Sequence, residues 1–79
     1  MPTYTALTTL MGEPAAQALG VALEALEPAP TGVGVFEVED GSGLWEVGGY
    51  FTEKPVAGEL ELLQAMSGAK PFVVSEVPD

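Results

Sequence analysis

The sequence predicts an α+β domain whose elements run β-α-β-β-α-β. Three observations carry this. A length of 79 residues fits one small domain. Segments rich in β-branched and aromatic residues alternate with two segments of helically spaced apolar residues. Prolines and glycines punctuate the boundaries between them. This order at this length predicts a ferredoxin-like sandwich, a four-stranded antiparallel sheet with two helices on one face and the other face open. Residues 1–79 then form a single domain.

Thr3 to Leu10, TYTALTTL, reads as the first strand, closed by Gly12. Pro14 suits the first turn of a helix, where its missing N–H costs nothing, and Ala15, Leu19, Ala22, Leu23 and Leu26 follow at helical spacing. Gly20 within that helix reads as tolerated slack in preference to a close helix–sheet approach. Pro28 and Pro30 make a stiff connector. Val33 to Glu39 and Leu44 to Phe51 then form a hairpin around Asp40-Gly41-Ser42-Gly43. Pro55 opens the second helix, with Val56, Leu60, Leu63 and Met66 along one side and Gly68 at its end. Phe72 to Val77, with prolines near both ends, suits a strand at the sheet edge. The alternation in the first and last strands does not assign their faces.

A four-residue loop from Asp40 to Gly43 sets Val38 opposite Trp45 and Phe36 opposite Val47. These residues, with Phe51, are expected to meet the helices. The open face then carries Val33, Val35, Glu37, Leu44, Glu46 and Tyr50, the expected partner-binding set. Glu37 opposite Glu46 would set two like charges together, a repulsion that a cationic partner would relieve; a one-residue slip of the register, or solvation of both carboxylates, is the alternative.

Twelve acids against Lys54 and Lys70 give a net charge of −10, with no arginine. That balance opposes nucleic-acid binding, which needs clustered cations to displace counterions; it would attract a basic partner, although solubility alone accounts for many acidic surfaces. The N-terminus has no basic region before an apolar stretch, and the longest apolar segment is broken by Gln17 and Glu24, so neither a signal peptide nor a membrane span is expected. The cytoplasm is the expected compartment. No cysteine or histidine is present to hold a disulfide or an ordinary zinc site. Ser42, Ser67 and Ser75 have no histidine to serve as base, so catalysis by this chain alone is not expected. A calcium loop counted from Asp40 would need a bidentate acid where Phe51 stands. Val38-Glu39-Asp40-Gly41-Ser42-Gly43 looks superficially like the acidic-then-glycine loop that binds S-adenosylmethionine, but such a loop must lead into a helix, and Leu44 to Phe51 reads as a strand.

The run Pro30-Thr31-Gly32-Val33-Gly34-Val35-Phe36-Glu37-Val38-Glu39-Asp40, followed by Leu44-Trp45-Glu46-Val47-Gly48-Gly49-Tyr50-Phe51, resembles the N-terminal region of the ribosomal protein L-eleven methyltransferase family (PrmA type). The resemblance extends from the opening Met-Pro-Thr-Tyr-Thr-Ala-Leu through Lys70-Pro71-Phe72, and order and spacing carry it more than any single motif. It implies a substrate-recognition domain linked to a separate catalytic domain that uses S-adenosylmethionine and methylates lysine and N-terminal amines of a large-subunit ribosomal protein. The chain reaches Pro78-Asp79 before any strand–glycine-loop–helix unit, so catalytic and cofactor residues are expected in that other domain. A different reading is a small-molecule regulatory module of the amino-acid-binding kind, for which a glycine at a strand–helix junction, such as Gly12, would be the mark. A third is a dimerisation module using the open face.

Overall fold

The structure is a computed structural model that describes residues 2–78. Its elements follow the expected order: β1 (Thr3–Met11), α1 (Glu13–Glu24), β2 (Gly32–Glu37), β3 (Leu44–Phe51), α2 (Ala57–Ser67) and β4 (Val73–Val77). The four strands form one antiparallel sheet in the spatial order β2-β3-β1-β4. This is the ferredoxin-like arrangement, with β2 and β4 at the two edges. β1 and β3 occupy the centre because each helix carries the chain past the neighbouring strand and leaves room for one between.

Pro14 stands in the first turn of α1, where Glu13 also places a negative charge at the positive end of the helix. Gly68 ends α2 in the left-handed conformation at φ 72°, and its N–H closes on the carbonyl of Gln64. The core lies between α1 and the sheet. Ala16, Leu19 and Leu23 of α1 meet Ala6 and Leu10 of β1 and Val47 and Phe51 of β3, with Leu60 of α2 and Ala69 completing the cluster. The second helix is more peripheral than the expected stripe implies. Leu60 is its buried residue, Leu63 is half-buried, and Val56 and Met66 are exposed.

The hairpin register differs by one residue from the expected one. Val35 pairs with Val47, Phe36 with Glu46 and Glu37 with Trp45. The reason lies in the loop. Val38 donates its N–H to the Leu44 carbonyl at 2.9 Å, so the connection runs from Glu39 to Gly43 and is one residue longer than expected. The Asp40 carboxylate accepts hydrogen bonds from the Ser42 N–H and hydroxyl, Leu44 N–H donates to Ser42 Oγ, and Gly41 and Gly43 take positive φ angles of 79° and 78°. Those turns need the extra residue, and a slip of one residue exchanges the two faces of the strand it affects.

That exchange corrects the reading of β2. The side chains of Val33 and Val35 pack toward α1. A β-carbon on Gly20 would lie 2.8 Å from Val35 Cγ2 and 3.7 Å from Val33 Cγ1. Gly20 is therefore buried at a close helix–sheet approach and is not slack. Phe36, expected in the core, stands on the open face at 63% exposure. The faces expected for β3 hold: Val47 and Phe51 are buried under the helices, and Tyr50 is exposed on the other side.

Candidate functional site

The site is built on the open face of the sheet by β2, β3 and β1. Strand alternation together with the register places Gly32, Gly34 and Phe36 of β2, Leu44, Glu46, Gly48 and Tyr50 of β3, and Thr5, Leu7, Thr9 and Met11 of β1 on that face. Val73 and Val77 of β4 extend it past Leu7 and Thr3. Gly34 and Gly48 are a cross-strand pair at its centre, so two neighbouring positions carry no side chain of their own. The Phe36 ring lies over Gly34, with Cε2 2.6 Å from where a β-carbon would be, and Leu7 leans over Gly48 from β1. A depression of about 320 Å³ remains, lined by Leu7, Phe36, Gly48, Tyr50 and the half-buried Glu46.

This face gathers several large apolar side chains around Glu46 and a row of threonines. Phe36, Tyr50, Leu7, Met11 and Val73 are all exposed on it. Large apolar side chains gathered on one exposed surface mark an interaction site more often than those scattered singly. An aromatic ring left 63% exposed on a strand is a local conflict of the kind found at functional positions.

Of the expected partner-binding residues, Leu44, Glu46 and Tyr50 do come together on the open face. Val35 lies on the helix side, Val33 packs there too while also lining the margin of the depression, and Glu37 pairs with Trp45 at the edge, away from Glu46. The expected like-charge pair is therefore not formed: Glu46 faces Phe36 across the strands. Phe36, Leu7 and the Gly34–Gly48 floor are the site residues that sequence reasoning missed. Gly20, placed in a helix where two β-branched valines could lie against it, was the available signal for the true register.

The loop at residues 39–43 does not fit S-adenosylmethionine. It connects two strands, and the Asp40 carboxylate that would address a ribose is already taken by the Ser42 donors. Those two hydrogen bonds hold its pKa below the usual aspartate range. Gly12, the mark of a small-molecule module, has φ 89° and serves the turn into α1. Its carbonyl accepts from Ala16 N–H at 3.1 Å, and its own N–H donates to Gly43. Among the described residues no cluster of three or more histidine, cysteine or acidic side chains is placed to hold a metal ion. No helix among them is long and apolar enough to cross a membrane.

On the opposite side of the molecule, Ala15, Ala18, Leu19 and Ala22 of α1 and Leu63 and Met66 of α2 line an apolar groove between the helices. It carries no ionisable side chain. Compared with protein families and with curated proteins, the chain matches no family model and no curated protein.

Proposed function

We propose that the chain is the substrate-recognition domain of a ribosomal protein methyltransferase. It binds a basic large-subunit ribosomal protein on its open sheet face, in the cytoplasm. A separate domain that uses S-adenosylmethionine then methylates lysine and N-terminal amines of the bound protein, and the chain itself carries no catalytic step.

The observation that supports this reading best is an exposed apolar sheet face, with Phe36 and Tyr50 around a carboxylate, on a domain of net charge −10. The apolar side chains supply short-range contact area, and the charge attracts a lysine-rich partner over distances comparable with the Debye length. Tethering the captured protein beside a catalytic domain raises the effective concentration of each amine, so one docking event serves several methylations. The sequence resemblance over the hairpin points the same way.

Calorimetric titration of the chain with the purified large-subunit ribosomal protein, at low and at moderate salt, tests the proposal. Binding that weakens as salt rises is expected. Heat changes indistinguishable from dilution at both salt concentrations would overturn it.

A further inference from the structure

We infer that the depression on the open face is a subsite for one lysine side chain of the bound protein. The inference rests on the recognition reading above and names the chemical group that reading would place at the centre of the interface. Three observations carry it together. Gly34 and Gly48 contribute no side chains of their own, so the Phe36 ring and Leu7 settle low over them and leave a shallow apolar depression beside Glu46. Leu7 and Phe36 provide apolar surface for methylene groups, and Phe36 and Tyr50 are aromatic side chains lining the same depression, a residue type that attracts a cation. Glu46 is half-buried in the same depression, directly across the strands from Phe36.

Charge decides among occupants. An anion would enter against Glu46 and the net charge of −10. A neutral apolar group would cover the Glu46 carboxylate without pairing it, which is costly. An alkylammonium satisfies both requirements, with its stem on Leu7 and Phe36 and its charge beside Glu46 and the Tyr50 ring.

The test uses the labelled 79-residue chain and three short glycine-rich peptides that differ at one central position: lysine, acetyl-lysine or norleucine. Amide shifts followed by NMR should respond to the lysine peptide at Leu7, Gly34, Phe36, Glu46, Gly48 and Tyr50, and only weakly to the other two. Glu46→Gln and Phe36→Ala should each weaken the lysine peptide about two- to fivefold, the range expected for an exposed ion pair or cation–π contact. Equal binding of the norleucine peptide, shifts confined to other residues, or variants that bind as the parent does would each overturn the subsite. Because the calorimetric experiment measures the whole ribosomal protein, its binding can survive any of those results. If the subsite fails while the protein still binds, recognition stands without it; if the lysine peptide binds and the protein does not, the recognition reading falls.

Discussion

Val35 Cγ2 lies 2.8 Å from the point a β-carbon on Gly20 would occupy, so one glycine in α1 sets the distance between that helix and the edge strand β2. Alanine is the better helix former by about 1 kcal/mol. Packing opposes it here, because a β-branched side chain has few rotamers with which to yield. Gly20→Ala is therefore expected to destabilise the fold by about 1–3 kcal/mol, the usual range for overpacking. Gly58→Ala in α2, where an added methyl meets nothing within 4 Å, is the control and should be neutral or stabilise by up to about 1 kcal/mol. Denaturant unfolding of both variants checks the pair. A Gly20→Ala chain as stable as the parent would contradict the close approach.

The register makes opposite demands on two adjacent residues. Val35 packs on α1, whereas Phe36 stands exposed on the other face. Val35→Ala should cost about 1–2 kcal/mol, and Phe36→Ala should fall within about 0.5 kcal/mol of the parent. The four-residue loop would reverse that order, so comparing the two denaturation midpoints decides between the registers.

The Asp40 pKa is lowered first by the Ser42 hydroxyl and then by the Ser42 N–H. A carboxylate whose folded pKa is depressed contributes stability above its unfolded pKa and loses it as pH falls through the folded value. Ser42→Ala removes the larger cause, and an NMR titration of the Asp40 side chain should show its midpoint move upward. An unchanged midpoint would contradict the hydroxyl contact. The group is exposed, so only a small change in acid stability should accompany the shift.

Thr8, 5% exposed, donates its hydroxyl hydrogen bond to the Lys70 carbonyl, while Lys70 N–H donates to the Thr9 carbonyl at 3.0 Å. These bonds fasten the segment that leads into β4 to the central strand β1. Thr8→Val keeps the shape and removes that donor, a loss of about 0.5–1.5 kcal/mol for a part-buried hydrogen bond. Hydrogen exchange should accelerate at the β4 amides paired with β1. Unchanged exchange there would show that the pairing of the two strands alone secures the edge.

Element order and type were legible because each boundary has a local physical cause: Pro14 at a helix start, Gly68 at a helix end, and apolar spacing in between. The faces of β3 were legible too, since Val47 and Phe51 on one side and Glu46 and Tyr50 on the other differ in polarity or in position relative to the core. Those of β2 were not. Both registers bury apolar side chains, Phe36 and Val38 in one and Val33 and Val35 in the other, so hydrophobic pattern alone could not separate them. The Asp40–Ser42 hydrogen bonds and the notch at Gly20 decide it, and both are three-dimensional. In β1, threonine serves on either side: Thr8 is buried through its bond to Lys70, whereas Thr5 and Thr9 belong to the open face. Half of the candidate site was consequently found on β3, and the half built from Phe36 and Leu7 emerged only with the register.

The proposed docking of a basic protein on the open sheet face is tested most directly by mapping amide shifts of the labelled chain during titration with the large-subunit ribosomal protein. Shifts concentrated at Leu7, Gly34, Phe36, Glu46, Gly48 and Tyr50, diminishing as salt is raised, are the expected result. Shifts gathered instead along the helical groove at Ala15, Ala18, Ala22 and Met66 would contradict it.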